Sequence, residues 1–372
     1  MAARRGALRR TLAIMDSPQV VLINPLESAS GGSERRTLEL ARLLSSRAAV
    51  TLCAPDPARV LALAGQALAG IRVAAPLQQT PELLRGAILL VVGFYFDLPE
   101  WVVGSDPDRL ILIVNLDPQL PQFRTALSRL LPLRCGLELH FASQWIAAAA
   151  RLPGRVVVSP IDLNRFHPIG HSAVAQASRP FHVGRLSRDA HGKHHPGDPA
   201  LYRELLKRGC RVTVMGGTVL SDPVGPAAAA VAASPRSQAG SARIRLLPSG
   251  HQDAAAFLRD LDCFVYRTHP GWREPSGRVI HEAMATGLPV VAHRSGGYSD
   301  VIQHARNGFL FDSDTEALHW IEQLRLNADL RGDIGREARR SMEHLHGPEA
   351  RERLAELYLN GAAHPTHRLR LA

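Results

Sequence analysis

One pattern repeats along most of this chain: a short apolar run, a turn marked by glycine or proline, then a helical stretch. From about Val20 the runs are QVVLINP (19–25), AVTLCAP (49–55), IRVAAP (71–76), AILLVVGF (87–94), LILIVNLD (110–117) and GLELHFAS (136–143). Near-continuous Val, Ile and Leu without clean alternation marks strands covered on both faces, as in a parallel sheet. Intervening helical segments make right-handed β-α-β crossovers the natural connection. A second series follows: PFHVGRLS (180–187), RVTVMGG (211–217), ARIRLLPS (242–249), DCFVYRT (262–268), LPVVAHRS (288–295) and NGFLF (307–311). The pattern predicts an α/β protein of two Rossmann-like, doubly wound parallel sheets. Ligands of such sheets gather at the carboxyl ends of the strands, so the two domains are expected to face each other across a cleft.

The expected boundaries follow from composition. Residues 1–17 form a basic lead, too short in apolar residues for a secretory signal. A first domain spans 18–168, with a hinge in the proline-bearing stretch 156–168. A second spans 169–345, and 346–372 is a closing helix and tail. The Pro/Ala/Ser/Gly-rich segment between Gly217 and Ala242 reads as a surface insertion. A length of 372 residues suits about two domains.

Charge narrows the partners. The net charge of +10 favours anions, whether nucleic acid, acidic lipid or phosphorylated small molecules. Aromatics make up 5%, and no basic stripe with interleaved aromatics appears, so nucleic acid is not an expected partner. Cys53, Cys135, Cys210 and Cys263 are scattered, which fits free thiols in a reducing cytosol better than disulfides or zinc. The dispersed histidines give no metal-ligand spacing. No apolar run reaches the roughly 20 residues of a membrane span. The expected location is cytoplasmic, with peripheral contact at the inner face of a membrane as a further expectation.

Four clusters fall at strand ends. Gly31 and Gly32 sit between the first strand and a helix, where backbone N–H groups can approach a phosphate; a bare loop is the plainer reading. Arg185 follows an apolar strand with Lys193 close behind, a pair able to neutralise a diphosphate or simply two surface cations. The stretch REPSGRVIHEAMATGLPVV is the strongest. Glu274 precedes a helix start at Ser276–Gly277, and Glu282 stands two turns into a small, apolar helix. Ionised carboxylates suit sugar hydroxyls and ribose diols because each oxygen accepts a separate proton. The structural alternative makes Glu274 a helix-dipole partner and Glu282 a paired helix residue. Ser295–Tyr298 is another glycine turn, by itself more a turn than a site.

Together the stretches SGGSERRTLELARLL, VVVSPIDLNRFHP, VGRLS with Lys193, EPSGRVIHEAMATGLPVVA and SGGYSDVIQHARNGFLF resemble the retaining GT-B glycosyltransferases known as family 4 or glycosyl transferases group 1. The resemblance runs from about Val20 and is most specific from Phe181 to Phe311. It implies that Glu274 holds the donor sugar, that Ser276 and Gly277 contact sugar or phosphate, and that Glu282 binds the ribose. Arg185 and Lys193 would stabilise the leaving diphosphate, with Gly31 and Gly32 reaching it from the first domain. Many relatives carry a histidine after the fourth strand; here the chain reads GFYFDLP. Asn115 or Asp117 stands in on the acceptor side.

The expected function is hexosyl transfer, with retention, from a nucleotide-diphosphate sugar to a hydroxyl of a lipid-linked saccharide, polysaccharide or small molecule. The nucleotide sugar is co-substrate, no cofactor is expected, and no divalent metal, since Arg185, Lys193 and the glycine-turn amides supply the positive potential and no Asp-x-Asp pair follows a strand in a suitable place. A nucleotide-sugar epimerase of the same architecture and a catalytically silent nucleotide-sugar-binding protein are the alternatives.

Overall fold

The computed structural model describes residues 18–28, 31–75, 84–169, 179–221 and 244–361. The basic lead and most of the expected surface insertion lie outside these residues. The chain divides into two compact units, one running to Pro160 and resuming at Pro348, the other spanning Ile161–Gly347.

The first unit is built on a seven-stranded sheet in the order β3-β2-β1-β4-β5-β6-β7. Its strands are Gln19–Ile23 (β1), Ala49–Cys53 (β2), Arg72–Ala74 (β3), Ile88–Val92 (β4), Arg109–Val114 (β5), Leu137–Phe141 (β6) and Arg155–Val156 (β7). All pairings are parallel. Every residue of β4 and β5 is buried, which is why their sequences show no polar alternation.

The helix Pro348–Asn360 completes this first unit. Ala355 and Tyr358 join the cluster formed by Leu22, Leu40, Leu90 and Ile113. Arg109 anchors the helix, donating to the carbonyls of Leu357 (3.3 Å) and Tyr358 (2.5 Å) while Glu138 holds its other edge at 2.9 and 3.0 Å. The segment read from sequence as a closing helix therefore belongs to the unit in which the chain began.

The second unit holds a six-stranded parallel sheet ordered β10-β9-β8-β11-β12-β13. Its strands are His182–Leu186 (β8), Arg211–Met215 (β9), Ile244–Leu247 (β10), Cys263–Tyr266 (β11), Val290–His293 (β12) and Phe309–Phe311 (β13). Short polar side chains start the helices: Asp253, Ser313 and Asn327 each accept from a backbone N–H one turn on, as N-caps do. In both sheets the strand order reverses beside the first strand, between β1 and β4 and between β8 and β11. Side chains just beyond those four strands stand at the ligand-binding edge of a doubly wound sheet. No described helix is long and apolar enough to cross a membrane.

Candidate active site

Two loops meet at the reversal point of the second sheet. One follows β8 and folds into a short turn, His191–Lys193. The other follows β11 and runs to the helix Arg278–Ala285. Their contact is an ion pair: Lys193 Nζ donates to Glu274 Oε2 at 2.6 Å, and the Tyr266 hydroxyl donates to the same oxygen at 2.9 Å. The Lys193 ammonium also lies 5.0 Å from the centroid of the Trp272 ring, a cation–π contact. Burial alone would raise the Glu274 carboxyl; the charge and hydrogen bond of Lys193, with Tyr266, reverse this and hold it below the ordinary glutamate value.

Arg185 lies beneath this pair and is almost wholly enclosed, 1% exposed. Its guanidinium stacks 4.7 Å from the Tyr266 ring. It donates to the backbone carbonyls of Lys193 and Arg267 and sits 3.5 Å from Asp198 Oδ2. The structure thus brings Arg185, Lys193 and Glu274 into one cluster, with the arginine serving protein acceptors and the lysine at its upper edge.

Gly277 starts the next helix in the left-handed region, φ 64°. A Cβ there would lie 2.7 Å from the Tyr298 ring, so glycine is required on two counts. No side chain caps this helix start, and Ser276 beside it is half-buried. Glu282 is completely buried, and its Oε1 accepts from Arg278 Nε at 2.9 Å. The turn Ser295–Tyr298, read above as a simple turn, proves to brace the site. Gly297 N–H donates to the Glu274 carbonyl at 2.8 Å, and the Tyr298 ring stands edge-on to Tyr266.

Sequence reasoning missed Asp198 and Arg267. Arg267 Nε donates to Asp198 Oδ1 at 2.6 Å, and both are nearly sealed from solvent. A charged residue ending an apolar strand, as in CFVYRT, was the available signal. Ser187, His194 and Asp198 also approach one another, but not as a nucleophilic triad. His194 Nε2 lies 2.7 Å from the Gly216 carbonyl, so that nitrogen carries the proton and cannot accept one from Ser187, 3.3 Å away. Among the described residues no group of three or more His, Cys, Asp or Glu side chains is arranged to hold a metal.

In the first unit, Gly32 opens the helix Gly32–Leu44 and Gly31 precedes it without a side-chain cap. A Cβ on Gly31 would collide with the Glu34 carboxylate. That carboxylate thus folds back over the helix start, where the dipole favours an anion. Asn24, which sequence reasoning also missed, ties the ends of β1 and β4 together. Its Nδ2 donates to Val92 O (2.8 Å), Ser33 Oγ (3.0 Å) and the Tyr95 hydroxyl (3.0 Å). Tyr95 fills the stretch where many relatives place the histidine. Asn115 joins this cluster, donating to Ser33 Oγ at 2.9 Å; Asp117 instead closes a local turn onto Gln119 N–H.

Known proteins resemble this chain in sequence and in fold. Residues 181–324 match the family model Glycosyl transferases group 1. The spore coat protein SA of Bacillus subtilis is 34% identical over 89 residues, 23% of each chain. The lipopolysaccharide core biosynthesis glycosyltransferase LpsE of Rhizobium meliloti is 37% identical over 122 residues, 32% of this chain and 34% of that one. The matched stretch therefore spans only about a quarter to a third of these relatives. Among solved structures, Anabaena Alr3699/HepE in complex with UDP-glucose superposes with a TM-score of 0.68 at 18% identity, covering 91% of this chain and 98% of that one. That likeness concerns the fold. Within the second unit, residues 181–324 are similar to the glycosyl transferases group 1 family, and the chain as a whole has the GT-B fold.

Proposed function

We propose that the protein is a glycosyltransferase that moves a hexosyl group from a nucleotide-diphosphate sugar to an acceptor hydroxyl, with retention of configuration. The observation that carries this reading is the Lys193–Glu274–Tyr266 cluster beside the uncapped helix start at Gly277. It joins a cation suited to a phosphate, a carboxylate suited to sugar hydroxyls, and backbone N–H groups suited to an anion. The solved complex of a GT-B neighbour with UDP-glucose supports a nucleotide sugar as co-substrate.

In this reading Lys193 faces the diphosphate as negative charge develops on it, and Arg185 adds positive charge from beneath. Glu274 accepts from hydroxyls of the transferred sugar, Ser276 and Gly277 contact sugar or phosphate, and Glu282 meets the ribose. The acceptor's proton passes to the departing diphosphate, so no protein nucleophile is required. Lys193 and Arg185 supply the positive potential, and no divalent metal is needed. The acceptor is a lipid-linked saccharide, a polysaccharide or a small molecule.

The test is a panel of nucleotide sugars, read first by thermal stabilisation and then by turnover with saccharide and lipid-linked acceptors, in chelator throughout. Stabilisation by one donor and transfer with the anomeric configuration kept are the expected results. A folded protein that binds no nucleotide sugar refutes the reading, and transfer that requires magnesium or manganese refutes its metal independence.

A further inference from the structure

We propose that Asp198 is a positioning residue for Lys193 and Glu274, fixing both of their loops from beneath the site. The inference rests on the function proposed above for that pair. Asp198 is 1% exposed, yet every strong contact it makes leads to the site. Its Oδ2 accepts the backbone N–H of His195 at 3.1 Å and lies 3.5 Å from Arg185 Nη1. Arg185 in turn donates to the carbonyl of Lys193. The turn that carries Lys193 is therefore held at two points, the lysine's own carbonyl and the N–H two residues on.

Its other oxygen accepts from Arg267 Nε at 2.6 Å, and the Arg267 carbonyl receives Arg185 Nη1. Arg267 begins the loop that ends at Glu274. One carboxylate thus fixes the separation between the two loops that the Lys193–Glu274 ion pair joins above it. Burial would raise its pKa, but Arg185, His194 and Arg267 bring it down to about 2, so it stays charged between its two guanidiniums. Neutralised, it would leave Arg185 without its carboxylate and Arg267 with Asp314 alone, and the hold on both loops would weaken.

Composition provides the means of testing this. Among 44 Lys and Arg residues the chain has two lysines, Lys193 and Lys207. Lys207 lies at the end of the helix Asp198–Lys207 with its side chain 70% exposed, whereas that of Lys193 is 13% exposed. Donor-free protein is treated with a limiting amine-acylating reagent, and modification at the two lysines is read by peptide mass spectrometry. In Asp198→Asn the Lys193:Lys207 ratio should rise roughly fivefold, the equivalent of about 1 kcal/mol of lost hold on the ammonium. Asp198→Glu, which keeps the charge but displaces the guanidiniums, should show a smaller rise and serves if the asparagine variant does not fold. An unchanged ratio in a folded variant overturns the proposal.

Turnover gives a second readout. Asp198→Asn should lower kcat at saturating donor, and in a Lys193→Ala background it should lower kcat no further. Additive losses would show that Asp198 does not act through Lys193. The labelling needs no donor. A protein that turns over no nucleotide sugar would sink the proposed function while leaving the labelling result intact.

Discussion

Replacing Glu274 with glutamine should make the protein bind a bare nucleoside diphosphate more tightly while transferring sugar more slowly. The glutamine side chain has nearly the same shape, and its carbonyl oxygen can still accept from Tyr266, so what is lost is charge. In the donor-free protein that charge belongs to Lys193, 2.6 Å away, with both side chains little more than a tenth exposed. Unit charges about 4 Å apart attract by about 4 kcal/mol at an effective dielectric of 20. Desolvation and residual exposure reduce the net value to about 2 kcal/mol. The second unit should therefore melt roughly 4–8 °C lower without ligand. A diphosphate must compete with Glu274 for Lys193 in the wild type but not in the variant. Recovering half or more of that 2 kcal/mol tightens binding about tenfold. A nucleoside diphosphate without sugar leaves out the contact between Glu274 and the sugar, so titration calorimetry isolates the competition. Weaker or unchanged diphosphate affinity in a folded Glu274→Gln protein would show that Lys193 does not receive the phosphates.

Further expectations concern the helix behind the pair, its first residue and a buried ring in the first unit. Glu282→Gln should raise the donor KM about tenfold or more with kcat little changed, because a ribose lies far from the reacting bond; an unaltered KM would leave Glu282 as the helix partner of Arg278. Gly277→Ala should cost about 3 kcal/mol, from the left-handed backbone and the Tyr298 ring at 2.7 Å, and a melting temperature within a degree of wild type would contradict this. His140 is buried with neither ring nitrogen hydrogen-bonded, and burial, then Arg36, Arg109 and Arg155, lowers its pKa to about 3. The unfolded chain takes up a proton below about pH 6.5 that the folded chain refuses. Stability from this site is complete above 6.5 and falls by about 1.4 kcal/mol per pH unit below it. His140→Phe keeps a ring against Tyr358 and should flatten that acid limb in melting curves from pH 7 to 4; an unchanged limb would mean that His140 does not set it.

Both sheets could be read directly from the amino-acid pattern because burial on two faces leaves an unbroken apolar signature, as in ILLVV of β4 and RLILIV of β5. Glu274 and Lys193 were legible for another reason, as a carboxylate and a cation beside turns that follow apolar strands, and Gly277 as a glycine at a helix start. Arg267 carries the same local sign, a charge ending an apolar strand, but Asp198, 69 residues away, carries none, so their pairing leaves no trace in short-range spacing. The bracing of Glu274 by Gly297 is likewise a contact between two turns that each look ordinary. The helix Pro348–Asn360 has a pattern that fits any apolar sheet face. What assigns it to the first unit is Arg109, some 250 residues earlier, whose role only the fold discloses.

That return of the chain has a consequence for synthesis. A ribosome releases β1 to β7 first, then the whole of the second unit, and only then the helix that carries Ala355 and Tyr358 into the first unit's interior. Until those residues emerge, Arg109 lacks its carbonyl partners and Leu40 and Leu90 lack part of their cover. The second unit, continuous from Ile161 to Gly347, meets no such delay. The later part of the chain can therefore reach its final state before the earlier part does, reversing the usual amino-to-carboxyl order of domain folding.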